Sequence, residues 1–490
     1  MKLKRNAIGS GCLGVSRRSF LADTGMGFTG LALGAMLFRD GAACAAGAAG
    51  ERPHFPARAK SVIWIFLCGG LSHVESFDVK PELTKYAGKS IDETPYQSVL
   101  DPKRINANIV GANPNHGNRK VILPLQAGHR AYGRSGLVVS DWFQSIGECA
   151  DDLAVIRSLW TVHNDHGAQL TWHTGRHPRE LEHPTLGSWV CYGLGTLNEN
   201  LPEYVVLGVP TGDCCGGAFT HGAAYLGPQY GGVRLTVDPQ KPLPFMTPAG
   251  GAITPEEQRG NFSLLGRLNH LAGIDYPDDK ELRARIKAYE LAFQMQTSVP
   301  ETLQLGKESE ATRKLYGIDR PETRAFGEQC LAARRLAERG VRFIQIFHGG
   351  GGGGEWNAHS EIKANHSKLA RQVDQPVGGL LKDLKQRGML DDTMVVFGTE
   401  FGRSPGAEGT GRDHHPQGFS AWLAGGGIKG GVAHGATDEL GFHAVEDRHY
   451  VTDIHATVLH QLGLDSHRLE VPGRKRLEMD HGERISAIIG

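Results

Sequence analysis

Beyond its first forty residues the chain has no apolar run long enough to cross a bilayer, which takes about 20 residues, so no stable membrane span is expected in the mature protein. It has no run of basic residues, no Cys-x-x-Cys pair or zinc-ribbon spacing among its 8 cysteines, and no internal repeat. The missing basic run leaves no electrostatic footprint for a nucleic-acid backbone, so nucleic acid is not an expected partner. The missing cysteine spacings argue against a thioredoxin-type centre or a structural zinc ribbon. Without a repeat, solenoids and propellers are set aside.

What is present begins with a leader. Ser16-Arg17-Arg18-Ser19-Phe20-Leu21 precedes a weakly apolar, glycine-containing stretch from Gly25 to Phe38, and small residues including Ala43-Cys44-Ala45 follow. Paired arginines, a short apolar core and a small-residue end predict a twin-arginine signal peptide over residues 1–45. Residues 46–490 are then expected in the periplasm, in the cell envelope or outside the cell. The whole chain carries 53 basic and 53 acidic side chains; removing the leader leaves 47 against 51, a net charge of −4. The cysteines that remain, Cys68, Cys149, Cys191, Cys214, Cys215 and Cys330, are expected mainly as buried free thiols, since a domain this large needs no disulfide. The vicinal Cys214-Cys215 is the odd pair.

Short β-branched runs recur at Ser61–Leu67, Leu153–Ser158, Tyr204–Val209, Val341–Phe347, Thr393–Gly398 and Phe419–Ala424. Their continuous apolarity predicts strands buried on both faces. Helical patterns lie between them at Asp279–Gln296, Thr323–Arg339, Ser360–Arg387 and Thr452–Leu462, with stops at Gly340 and Gly388. The alternation predicts an α/β fold: a doubly wound, mainly parallel sheet with helices on both faces, in a single domain over 46–490. An irregular Gly/Pro-rich insertion is expected near 210–256.

In a parallel sheet the segments that follow the strands converge at one edge. After Ser61–Leu67 comes Cys68-Gly69-Gly70-Leu71-Ser72-His73-Val74-Glu75-Ser76-Phe77-Asp78, which offers a nucleophile and several ligands. After Leu153–Ser158 come His163, Asn164, Asp165 and His166. The Val341–Phe347 run is followed by His348, six glycines, then Glu355-Trp356-Asn357-Ala358-His359. Thr393–Gly398 leads to Thr399-Glu400-Phe401-Gly402-Arg403 and a loop to Gly411-Arg412-Asp413-His414-His415. Carboxylate and imidazole drawn from separate strand ends are the makings of a hydrolytic divalent-metal site. For Arg403 and Asp413 the alternatives are a loop-bracing salt bridge and direct contact with an anion.

These segments, with Ala424-Gly425-Gly426-Gly427, Gly435-Ala436-Thr437-Asp438-Glu439 and Asp453-Ile454-His455-Ala456-Thr457, closely resemble the bacterial domain-of-unknown-function 1501 family over essentially the whole mature chain. That family is grouped with alkaline phosphatases and sulfatases, and the resemblance implies a divalent metal (zinc, calcium or magnesium) at the strand ends. It implies His359, Glu400 and His414 as metal ligands. The sequence departs from the superfamily pattern where Asn357 and Cys68 stand in place of aspartates and Phe401 in place of a histidine, which removes ligands from a two-metal centre. No Ser, Thr or Cys stands at the nucleophile position; Asn164, Asp165 and His166 are there instead.

The leading expectation is therefore an exported metal-dependent hydrolase of phosphate or sulfate esters, acting on a small-molecule or polysaccharide substrate. Its catalytic residues would be Asp165 or His166, with Arg403 or Arg412 neutralising the developing anion. The alternative is a non-catalytic cell-envelope binding or assembly protein on a degenerate sulfatase-like fold.

Overall fold

Every residue of the first strand, β1 (Ser61–Leu67), is buried, because its alternating side chains enter two different cores. Ile63, Ile65 and Leu67 pack into one apolar cluster and Val62, Trp64 and Phe66 into another. A computed structural model of the chain describes residues 53–105, 119–180, 183–238, 240–242, 257, 260–261, 263–268, 271, 295, 298–471 and 481–490. The expected signal peptide, nearly all of the helix at Asp279–Gln296 and the end of the 210–256 insertion lie outside the described residues. Those from Arg52 to Gly490 group into one compact unit.

Apart from two small antiparallel pairs, His129–Tyr132 with Leu137–Ser140 and Ala436–Thr437 with Ala444–Glu446, the strands in chain order are β1, β2 (Leu153–Trp160), β3 (Tyr204–Leu207), β4 (Val233–Leu235), β5 (Phe343–His348), β6 (Thr393–Gly398), β7 (Gly402–Glu408), β8 (Gly411–His415), β9 (Phe419–Ala424), β10 (Val432–His434) and β11 (His449–Tyr450). The main sheet has nine of them, in the order β10-β2-β9-β6-β1-β5-β3-β4 with β11 also paired to β2. All its pairings are parallel except those of β9, which runs antiparallel to both β2 and β6.

Two long helices, α3 (Pro321–Glu338) and α4 (Ile362–Gln386), cover the Ile63 face through Phe326, Leu331, Leu336, Leu369 and Val373. The Val62 face is covered by α1 (Ala168–Thr174), α2 (Leu186–Leu194) and α5 (Val451–Gln461), through Trp172, Trp189, Ile454 and Val458. The fold is thus α/β and doubly wound, and burial on both faces is why the central strands read as unbroken apolar runs.

Two local departures matter. The segment expected as a loop between Arg403 and Gly411 is the antiparallel hairpin β7–β8, which turns at Gly409-Thr410 and carries a bulge between Arg412 and His414. And because β9 is antiparallel, it is its beginning, not its end, that reaches the edge where β1, β2, β5 and β6 finish; Thr161 N–H donates to the Pro416 carbonyl there at 2.9 Å. The six cysteines are free, five of them buried, with Cys214 exposed and its Sγ 2.9 Å from that of Cys215. Among the described residues no helix is long and apolar enough to cross a membrane.

The packing sets an acid limit. Burial is the largest cause holding His73 down at about 3 and His221, His348 and His443 at about 4, against 6.5 when unburied. As the pH falls below about 6.5 the unfolded chain takes up protons that the folded one refuses, so stability is complete above that value and drains away as the folded-state values are approached. Cooperative unfolding is expected with a midpoint between about pH 4 and 6, followed by circular dichroism. A Tm that stays constant from pH 7 to 4 would contradict this.

Candidate functional site

Four parallel strand ends and one antiparallel strand start bring the polar segments together. Imidazoles come from His166 after β2, His359 after β5, and His414 on β8, just ahead of β9. The rings of His414 and His166 are 4.5 Å apart between centroids, and those of His414 and His359 are 4.7 Å apart.

The tautomers of the last two follow from their neighbours. His414 Nδ1 lies 3.0 Å from the Asn164 carbonyl, and His359 Nδ1 lies 2.5 Å from Glu408 Oε2. Carbonyl and carboxylate oxygens only accept, so both Nδ1 atoms carry hydrogen, and in the neutral form of each ring the Nε2 atom presents a lone pair. Those two Nε2 atoms nevertheless face each other at 3.1 Å, with Asn357 Oδ1 3.2 Å from His414 Nε2. Two lone pairs directed together repel unless a metal ion, or a proton on one of the two nitrogens, stands between them. Two imidazole nitrogens held by one ion at about 2.0–2.1 Å are roughly 2.8–3.4 Å apart for bond angles between 90° and tetrahedral, so the observed spacing fits a bound divalent ion. Burial, then Arg403, His166 and His359, drive the His414 pKa far down, which keeps its ring neutral as a ligand must be. The ligating atoms of His359, Asp413 and His414 lie within 4.8 Å of one another, and so do those of Asp165, His166 and His414.

His166 is oriented the same way. Its Nδ1 is 3.0 Å from Glu400 Oε1, while its buried Nε2 has no hydrogen-bond partner. Glu400 is fully buried and accepts further bonds from Gly69 N–H (2.9 and 3.2 Å), Gln169 Nε2 (3.4 Å) and Thr399 Oγ1 (3.0 Å). It therefore stands behind His166 and not among the groups that converge on His414, contrary to its expected place as a direct ligand. The glycine run closes over this ring: a Cβ at Gly353 would lie 2.7 Å from His166 Cδ2 and 3.0 Å from its Nε2. The run is held by Gly351 N–H to the Pro210 carbonyl and by Gly212 N–H to the Gly352 carbonyl, both 3.0 Å.

The two arginines expected to meet an anion are fully buried instead. Arg412 pairs with Glu75 at 2.6 Å and donates to the carbonyls of Ser404, Pro405, Leu123 and Pro124, so its donors are occupied. Arg403 donates to the carbonyls of Gly69, Gly70 and Arg412 and, at 2.8 Å, to Asn357 Oδ1, and burial lowers its pKa to about 10. It braces the loops from behind, with the charge of Asp413 also acting on it; Asp413 Oδ2 pairs with Arg119 Nε at 3.0 Å. Asp165 Oδ1 accepts the neighbouring His166 amide at 2.7 Å.

In the loop after β1, Ser72 Oγ bonds Glu75, and His73 Nε2 lies 2.8 Å from the Gly441 carbonyl. These groups tie the loop rather than face His166. Likewise the first amides of α1 already bond Asp165, His166 and Gly167 carbonyls. Sequence reasoning passed over Glu408 and Arg119. The Gly409 turn between Glu408 and Gly411 was the one signal that could have placed Glu408 opposite His359.

A mostly parallel, doubly wound sheet with imidazoles gathered at one edge defines an α/β protein with a candidate cation site. The chain belongs to the family described as "Protein of unknown function (DUF1501)", whose model matches residues 59–489. No curated protein matches it. Among solved structures it is similar to Ps i-CgsB (12% identity, covering 87% of this chain and 75% of that one, TM-score 0.35) and to the PsFucS1 sulfatase from Pseudoalteromonas sp. (12%, 83% and 68%, TM-score 0.33). The lipoteichoic acid synthase LtaP from Listeria monocytogenes is also similar (10%, 88% and 80%, TM-score 0.35).

Proposed function

We propose that this protein is an exported, metal-dependent hydrolase of phosphate or sulfate esters, with a small-molecule or polysaccharide substrate. The observation that carries the reading is the 3.1 Å approach of two Nε2 atoms whose Nδ1 partners are both acceptors. His359 and His414 would hold the ion, with the Asn357 amide oxygen beside them. A nitrogen-rich set favours zinc over calcium or magnesium. When bound, a divalent ion supplies Lewis-acid polarisation of an ester oxygen.

His166 supplies the base. Among the described residues its Nε2 holds no hydroxyl partner, which supports water as the nucleophile: Nε2 takes one water proton as the water oxygen bonds to phosphorus or sulfur. Glu400 keeps the Nδ1 hydrogen and stabilises the imidazolium. The bond to the leaving oxygen breaks, and the proton on Nε2 passes to that oxygen, giving the free alcohol. The paired Arg17-Arg18 and the apolar stretch after them support export by the twin-arginine route.

Enclosure of Arg403 and Arg412 favours a second reading, a binding or assembly protein that keeps the cation but lacks a free guanidinium for the ester's charge. Metal analysis of the purified protein, followed by assays on aryl phosphate and aryl sulfate, separates the two. The hydrolase reading expects turnover, with one equivalent of zinc and the turnover both lost in His359→Ala and His414→Ala. That zinc without turnover supports the binding protein. A zinc content unchanged by both substitutions overturns the site.

A further inference from the structure

A second pair of imidazoles meets head-on outside that site. His434 ends β10 and His449 begins β11; both flank β2, His434 in register with Ile156 and His449 with Leu159. Their Nε2 atoms are 2.9 Å apart. His449 Nδ1 lies 2.8 Å from Asp453 Oδ2 in the first turn of α5, and the other oxygen of Asp453 accepts the Glu483 amide at 2.9 Å. The carboxylate fixes His449 with hydrogen on Nδ1 and a lone pair on Nε2. His434 faces a second carboxylate, its Nδ1 being 3.9 Å from Asp447 Oδ2. The side chains of His434 and His449 keep 13% and 17% of their exposure, so solvent reaches the pair. The neighbouring cation, Arg448, is stacked 5.0 Å over the Trp160 ring.

We propose that His434 and His449 form a separate transition-metal site, one Nε2 from each histidine and solvent oxygens completing the coordination of a borderline divalent ion such as zinc or copper. The nitrogen spacing again matches two imidazoles on one ion at about 2.0–2.1 Å each, for bond angles near 90°. Asp453 plays the part of the carboxylate that orients a metal-bound imidazole from behind. With no ion, a single proton on His434 Nε2 bridges the two nitrogens. Binding shifts that hydrogen to His434 Nδ1, on the side of Asp447, and replaces one hydrogen bond by two metal–nitrogen bonds. An ion here would clamp β10 to β11 across β2, and with them the start of α5, against the strand that runs into His163–His166.

The test uses the full chain carrying His359→Ala and His414→Ala, so that the proposed hydrolytic site contributes nothing and failure of one proposal leaves the other standing. Copper(II) titrated into this parent is expected to bind at one equivalent, with a two-nitrogen pattern in its electron paramagnetic resonance spectrum. His434→Gln and His449→Gln should each abolish that equivalent. Asp453→Asn, which keeps an acceptor for the Glu483 amide, should weaken it about 10–100-fold. Zinc should raise the Tm of the parent but not of His434→Gln, and the Tm without metal shows that each variant folds. Equal copper stoichiometry and equal zinc-induced Tm rise in the parent and His434→Gln would overturn the site, as would a spectrum without nitrogen coupling.

Discussion

Glu400→Ala is expected to lower ester turnover by about 10²–10⁴-fold, the range a general base contributes. The substitution deletes the acceptor that holds His166 Nδ1 at 3.0 Å and leaves the buried Gly69 N–H without its 2.9 Å partner. The ring is then free to turn, and its Nε2 is no longer held in one direction. Glu400→Gln should fall between wild type and alanine. Its amide nitrogen can occupy the Oε2 position against Thr399 Oγ1, which bonds the Leu67 carbonyl at 2.8 Å and is able to accept. The amide oxygen then still accepts from His166, and only the negative charge behind the imidazolium is lost. Steady-state kinetics on the aryl ester, with bound zinc measured in parallel, give the check. Zinc should be retained, and a loss of less than about threefold in Glu400→Ala would remove His166 from the base role assigned to it.

Arg412→Met is expected to destabilise the fold by about 3–5 kcal/mol, the cost of leaving one member of a fully buried ion pair uncompensated. Glu75 and Arg412 are both wholly inside, 2.6 Å apart, and among the described residues Ser72 is the only other side chain bonding Glu75. The double variant Glu75→Leu/Arg412→Leu should recover part of the loss and no more, because Arg412 also satisfies four backbone carbonyls that no leucine can reach. Urea unfolding of the three proteins measures the cycle. A single-variant cost below about 1 kcal/mol would mean that water enters the pair and that its burial is incomplete. Arg412 also immediately precedes Asp413 and His414, so a loosened hairpin should weaken zinc binding as well.

Much of the frame was legible in the residues because burial on both faces writes itself into composition. β1, β6 and β9 fall where their apolar runs end, and α3, α4 and α5 lie within two residues of their expected bounds. The hairpin β7–β8 was not legible. Gly402–Glu408 contains Pro405 and arginine and carries no alternation of apolar residues, since what buries it is the pairing of Arg412 with Glu75 and the backbone.

The chemistry divides along the same line. Residue order alone was sufficient to mark His166, His359, Glu400 and His414 as polar groups lying near strand boundaries. Whether a marked residue converges on His414 or supports one that does could not be read from its position. Glu400 and Arg412 have the residue types of a ligand and an anion clamp, yet lie enclosed, one behind an imidazole and the other against Glu75. The direction of β9 is what delivers His414 to the shared edge. The positions of Asn164, Glu408 and Glu400 choose the nitrogen each histidine leaves open. These are properties of hydrogen-bond geometry between segments as much as 250 residues apart, and no spacing along the chain encodes them.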